Sequence, residues 1–128
     1  MSWSYTCPHC QGVLNREETI ILNATCGEEQ MMIGFHPTPG NYRISLPPGF
    51  EIEAGSRWDF SCPSCHGDLE SDISPELCCL DMVAKDVRHR VYFSRVAGEH
   101  ATFVISAEGI ERYGEHAARH SLEILDLV

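Results

Sequence analysis

The sequence predicts a small, β-rich α+β protein in which two cysteine knuckles pair, a long β insertion separates them, and a β-hairpin plus helix ends the chain. Three observations predict it. The motif Cys-Pro-x-Cys occurs twice, at 7–10 and at 62–65. Between the copies, short apolar segments alternate with Pro- and Gly-rich breaks, the pattern of strands and turns. Beyond them, an apolar/polar alternation of period two gives way to apolar residues at helical spacing.

At 128 residues the chain has the length of one domain, which excludes a long multidomain enzyme, and its 43% hydrophobic content is ordinary for a globular protein. Nineteen acidic residues against nine Lys and Arg give a net charge of −10, so a general grip on nucleic acid is not expected. No apolar run approaches the ~20 residues of a membrane span, and Met1 to Tyr5 lack the charged and apolar regions of a signal peptide. The expectation is a soluble, cytoplasmic protein without membrane contact. Seven cysteines, four of them in the two pairs, suit metal or redox chemistry in a reducing compartment better than a disulfide scaffold.

Taken in order, Trp3-Ser4-Tyr5-Thr6-Cys7-Pro8-His9-Cys10-Gln11-Gly12-Val13-Leu14 aligns without a gap on Trp58-Asp59-Phe60-Ser61-Cys62-Pro63-Ser64-Cys65-His66-Gly67-Asp68-Leu69. Trp, both Cys, Pro, Gly and Leu coincide, so the knuckle is a repeated unit. Strands are expected from Thr19 to Ala24, Met31 to Phe35 and Tyr42 to Leu46, broken by Pro37-Thr38-Pro39-Gly40 and Pro47-Pro48-Gly49. The polar stretch from Ser71 to Glu76, with Pro75, reads as a linker. Val87, His89, Val91 and Phe93 alternate with Arg88, Arg90, Tyr92 and Ser94, and Thr102 to Ile105 follows a turn at Ala97-Gly98-Glu99, which predicts a hairpin. Ile110, Tyr113, Ala117 and Ser121 then recur at helical spacing behind Ser106 as an N-cap, although Gly109 and Gly114 weaken that helix by about 1 kcal/mol each. Leu122 to Val128 end the chain as a strand or a frayed helix. The expected organisation is a knuckle region over 1–70 with its inserted β-layer at 15–57, a linker over 71–83, and the hairpin and helix over 84–128, packed as one unit.

A tetrahedral four-thiolate site needs ligands converging from two directions, and each Cys-x-x-Cys turn presents two sulfurs from one direction. Cys7 and Cys10 on one turn, and Cys62 and Cys65 on the other, therefore form the predicted metal site, with Pro after each first cysteine setting φ at the bend. These knuckles resemble the zinc-ribbon class, which holds zinc between two such turns, and more distantly rubredoxin, which holds iron in the same way. The resemblance covers about 24 of the 128 residues. It departs from the usual pattern in two respects: Gln11 and His66 stand where Gly often follows the second cysteine, and 51 residues separate the pairs. The longer loop adds roughly 1 kcal/mol of closure entropy, against on the order of 10–16 kcal/mol of apparent binding energy for structural zinc. Trp, Tyr or Phe, and the first Cys fall at i, i+2 and i+4 in each copy, one face of the strand entering the knuckle. A rival arrangement gives each repeat its own metal through Cys26, Cys78 and Cys79, with His36 and His89 as further ligands; the plainer reading makes those cysteines small core residues.

Other signals are weaker. His116 and His120 are four apart but lack the Glu of a metalloprotease motif, and His9 and His66 are assigned no role. Leu80 to Arg95 carries Lys85, Arg88, Arg90 and Arg95 against Asp81 and Asp86, in a chain whose net charge is −10. Arg88, Arg90 and Tyr92 would line one exposed strand face, a contact for an acidic partner or for phosphates with a stacked base; the alternative is a solvated face neutralised by cross-strand ion pairs. No phosphate loop, nucleophile elbow or paired-carboxylate cluster appears, which lowers the expectation of an enzyme. The functional expectation is a structural-zinc module for protein interaction or self-association, with a rubredoxin-like iron carrier and a nucleic-acid-binding ribbon as alternatives.

Overall fold

The computed structural model describes residues 4–84 and 87–120. In them ten strands form in chain order: β1 (Ser4–Thr6), β2 (Asn15–Arg16), β3 (Thr19–Cys26), β4 (Glu29–Phe35), β5 (Ile44–Ser45), β6 (Asp59–Ser61), β7 (Leu77–Ala84), β8 (Val87–Ser94), β9 (Thr102–Ser106) and β10 (Gly109–Tyr113). A single 3₁₀ turn, Ala117–His120, follows. One antiparallel sheet runs β1-β7-β8-β9-β10. The other runs β2-β3-β4-β5, with β6 sharing the outer edge of β3 beyond β2.

Period-two patterning explains why the sheets pack on each other. Ile20, Leu22, Ala24 and Ile33 of one sheet meet Tyr5, Leu80, Met82, Val91 and Val104 of the other in one core. Each fully buried aliphatic side chain there contributes about 1.5–3 kcal/mol. The first sheet is covered on its other face as well, where Leu77, Cys79, Tyr92 and Phe103 form a second cluster under Ala117.

The register exposes a duplication much longer than the knuckle. Tyr5 of β1 pairs with Met82 of β7, and its equivalent Phe60 of β6 pairs with Ala24 of β3. Each half thus lends its first strand to the other half's sheet, the reciprocity of a two-fold arrangement. The hairpins correspond too: Phe35 pairs with Ile44 as Phe93 pairs with Thr102, and the bond from His36 N–H to Arg43 O matches that from Ser94 N–H to Ala101 O. Gly40 and Gly98 hold φ of 91° and 83° at equivalent turns. Equivalent side chains meet between the halves, Phe35 against Phe93 at 5.9 Å and Tyr42 stacked on His100 at 4.4 Å.

Two expectations are corrected. The fold is all-β rather than α+β, and no α-helix occurs among the described residues. The predicted helix is instead β10 followed by the short 3₁₀ turn. Ser106 does accept a backbone N–H, but from Glu108 at 3.2 Å, closing a hairpin turn rather than capping a helix. Gly109 and Gly114 at φ of 133° and 94° take backbone positions no helix offers. Ser121 and the predicted end over 122–128 lie outside the described residues. The stretch 71–83, expected as a linker, holds the buried strand β7. Its polar start is a closed turn in which Ser71 Oγ donates to Ser74 O (2.7 Å) and accepts from Ser74 N–H (3.0 Å). Residues of both expected regions share the one core.

The 3₁₀ turn is tied down by charge. His120 is buried and its Nε2 lies 2.6 Å from Glu99 Oε1, while Arg119 reaches the other carboxylate oxygen. Burial works against the charged Glu99 carboxylate, but the His120 hydrogen bond and the neighbouring charges outweigh it and hold the group below its ordinary range.

Gly114→Ala should destabilise the fold by about 2–4 kcal/mol, because a Cβ there would lie 2.2 Å from His100 O. Gly55→Ala, also at positive φ but with open space around it, should cost only about 1 kcal/mol; urea unfolding of both variants measures the difference. Glu99→Gln should destabilise the fold near neutral pH by about 1.5 kcal/mol, the loss of a charge-assisted hydrogen bond. Because the folded-state pKa is depressed, this stabilisation is present above the unfolded carboxylate pKa and is lost as pH falls through the folded value. The two unfolding curves should therefore converge in acid.

Candidate metal centre

Each knuckle hangs between the two sheets. The first leaves β1, in one sheet, and returns through Leu14 into β2 of the other, with Leu14 N–H donating to Tyr5 O at 2.8 Å. The second leaves β6 and returns through Leu69, whose N–H donates to Phe60 O, to lie against β7. Alternation on the entering strands buries Trp58, Phe60 and Cys62 while Asp59 faces solvent, as the i, i+2, i+4 spacing predicts; Tyr5 and Cys7 are likewise buried. Trp3 lies outside the described residues.

The turns close identically. Gln11 N–H donates to Cys7 O at 2.8 Å and His66 N–H to Cys62 O at 2.9 Å. Gln11 and His66 themselves adopt the left-handed conformation, at φ of 59° and 61°, which the usual Gly would otherwise supply. The glycines one residue later serve a different need. A Cβ on Gly12 would lie 3.2 Å from Cys10 Sγ, and one on Gly67 would lie 3.2 Å from Cys65 Sγ and 2.8 Å from the His9 ring. Backbone must approach sulfur closely at these points.

All four predicted sulfurs converge, their atoms lying within 4.8 Å of one another. Cys7 Sγ is 3.7 Å from Cys65 Sγ, and Cys10 Sγ is 3.8 Å from Cys62 Sγ. A tetrahedron with metal–sulfur bonds of about 2.3 Å has edges of about 3.8 Å, whereas a disulfide would bring two sulfurs to about 2.05 Å. The four cysteines are unbridged and fit a metal. Each sulfur also faces backbone N–H groups, among them His9 to Cys7 (3.3 Å), Gly12 to Cys10 (3.4 Å), Ser64 to Cys62 (3.4 Å) and Gly67 to Cys65 (3.3 Å). Such donors spread thiolate charge and orient the ligands. In the free thiol cluster burial opposes ionisation at Cys62, but the N–H groups of Cys65 and Ser64 outweigh it and bring the thiol down to about 7. Burial carries its equivalent, Cys7, up to about 12.

His9, which the sequence left without a role, ties one knuckle to the other. Its Nε2 lies 2.6 Å from Asp68 O, and its ring covers Gly67. The equivalent position in the second knuckle is Ser64, so the repeat alignment marks His9 as the place where the copies differ.

The remaining candidates do not join the centre. Cys26 is half-buried at the end of β3, and Cys78 and Cys79 point to the two separate clusters on either side of β7, where burial pushes both thiols up to about 12. Neither metal-capable cluster among the described residues includes them, His36 or His89. Arg88 and Arg90 do lie on the outer face of β8, but both meet the buried Asp81 carboxylate, at 3.8 Å and 3.4 Å. Tyr92 is not exposed: it is buried in the second cluster, so the predicted Arg-Arg-Tyr strip is not formed.

A second group of donors, His100, Glu115 and His116, assembles without a linear motif. His100 Nδ1 lies 3.2 Å from Glu115 Oε1. His116 Nδ1 accepts the His100 N–H at 2.9 Å, so a neutral ring carries its proton on Nε2 and has no lone pair there for a metal. This group is a polar fastening of the 100–116 segment.

Compared with protein-family models, curated proteins and solved structures, the chain finds no match in any of the three. No helix among the described residues is long and apolar enough to cross a membrane.

Serine at Cys7, Cys10, Cys62 or Cys65 should each lower bound metal by at least roughly tenfold, whereas Cys26→Ala and Cys78→Ala should leave the metal-to-protein ratio unchanged. Elemental analysis of each purified variant makes the comparison.

Proposed function

We propose that the protein is a zinc-stapled recognition module, in which a closed four-thiolate site holds two β-sheets in register and the protein acts by binding a protein partner or a second copy of itself. The convergence of the four sulfurs at tetrahedral spacing carries the reading. Four thiolates fill a tetrahedral shell and leave no position for a reactive water, the character of a structural rather than a catalytic site. Zinc suits such a shell because it has no redox chemistry and no geometric preference beyond the ligands' own.

A recognition role is favoured by the apolar side chains that sheet β2-β3-β4-β5 leaves outside. Met32 on β4, Ile44 on the edge strand β5 and Phe50 just beyond it are all exposed. Nucleic acid is the poorer partner. The net charge is −10, Asp81 draws on both Arg88 and Arg90, and Tyr92 offers no stacking face.

Protein produced in iron-replete, anaerobic cells should be colourless and carry one zinc per chain, and prolonged chelation should unfold it. A coloured product with one iron would instead establish the rubredoxin-like electron carrier. Size-exclusion and pull-down experiments that return only a free monomer would remove the partner half of the reading while leaving the metal half intact.

A further inference from the structure

A cavity of about 360 Å³ lies between the two sheets, and none of the four metal-centre cysteines lines it. Protein interiors pack as densely as organic crystals, and this volume falls within the roughly 300–1,000 Å³ of small-molecule sites. Its walls are mainly apolar. Phe35, Phe60 and Phe93 form a triangle of rings with centroids 5.4, 5.9 and 5.8 Å apart, backed by Ile33, Leu80 and Val91. Phe35 and Phe93 are only half-buried although they sit between the sheets.

The charged groups at the cavity are already engaged or lie at its rim. Arg95 is buried, its Nη1 2.8 Å from Asp59 and its Nη2 3.3 Å from Glu70, while its Nε and Nη2 find no hydrogen-bond partner. Glu99 is held by His120 and Arg119. Arg43 stands in solvent at the mouth. That mouth is framed by the two equivalent loops, 36–43 and 94–101, which meet where Tyr42 stacks on His100 with their planes 8° apart.

We propose that this cavity is a binding site for an uncharged, flat, ring-bearing apolar molecule. Such a guest removes the half-exposed Phe faces and its own rings from water, and stacks offset or edge-on against the three phenyl groups. An anionic guest would carry its charge into a mainly apolar wall whose buried cation, Arg95, already faces the Asp59 and Glu70 carboxylates, so its unpartnered Nε and Nη2 return less than desolvation costs. The site shares only Ile44 with the proposed partner-binding patch of Met32, Ile44 and Phe50, and probe binding and partner binding are measured separately.

The test uses the metal-loaded full chain and two probes that share one ring skeleton, neutral N-phenyl-1-naphthylamine and anionic 8-anilinonaphthalene-1-sulfonate. The neutral probe should brighten to saturation at one equivalent and quench tryptophan emission, since Trp58 is on the wall. The sulfonate should bind at least ~10-fold more weakly. Ala97→Trp, which projects an indole into the space, should weaken the neutral probe at least ~10-fold with zinc content unchanged. Should that variant lose its zinc, Ile52→Trp, a second substitution on the cavity lining, is read instead. No saturable response, equal or tighter binding of the sulfonate, or undiminished binding in a zinc-loaded cavity-filled variant would overturn the proposal.

Discussion

Every other feature of the molecule depends on four sulfurs, 51 residues apart in two pairs, meeting at one point. Because each knuckle has one leg in each sheet, the centre joins the sheets as well as two turns. Separating the sulfurs would pull β1 from β7 and β6 from β3 along with them. The hydrophobic core holds the sheets face to face but tolerates sliding, since burial is nondirectional. The tetrahedral shell of the proposed metal-bound form would not tolerate it, because displacing one sulfur by an ångström would break a bond. In that form the core supplies most of the attraction and the centre the register.

Reciprocal exchange of the first strands makes this arrangement self-consistent. A half consisting of one knuckle and one β-meander has only two thiolates and lacks the edge partner that the other half's β1 or β6 supplies. Neither half completes a metal shell or a sheet by itself. Two halves placed about a common axis complete both at once, which is the logic of an isologous interface contained in one chain. The pairs that meet between the halves, Phe35 with Phe93 and Tyr42 with His100, are the residues such an interface brings face to face.

The metal centre was legible because its chemistry fixes residue type and spacing together: only cysteine gives the sulfur, and only a tight turn aims two of them. The duplication beyond the knuckle was not legible because packing fixes neither. Across the equivalent hairpin strands and loops, Leu22 and Leu80, Phe35 and Phe93, and Gly40 and Gly98 remain identical, while Ile20 answers to Cys78 and Ser45 to Phe103. A three-residue difference in the connection, the serine turn at 71–76 against the tight turn before Thr19, shifts the register and hides the alignment. The failed helix has a related cause. Apolar residues at 110, 113 and 117 do fall at helical spacing, but Gly109 and Gly114 sit at positive φ and Ser106 closes a β-turn, so local backbone chemistry overrode the period. Tyr92 was misplaced by assuming one wet face; the sheet containing β7 and β8 is covered on both sides around Leu77 and Phe103, where alternation no longer separates inside from outside.

The equivalences also separate what the scaffold requires from what it leaves free. Positions needed for the turn and the metal are the same in both halves: Cys, Pro and the sulfur-contacting Gly in the knuckle, and a positive-φ Gly at 40 and 98. Positions that differ lie where the halves face different surroundings. His9 bridges to Asp68 where Ser64 has no such reach, and the Glu99 side chain anchors the 3₁₀ turn where the Asn41 side chain accepts the Arg43 N–H within its own loop. The segment 47–57 packs on the loop at 95–97 in one half, whereas Tyr113 of β10 packs on Gly40 in the other. An interface between two identical copies would have to present the same residues on both sides of its axis. Joining the copies in one chain removes that constraint, and unlike residues stand on the equivalent loops at the cavity mouth, Asn41 against Glu99 and Tyr42 against His100, where a scaffold with a fixed core can acquire specificity without disturbing its cysteine centre.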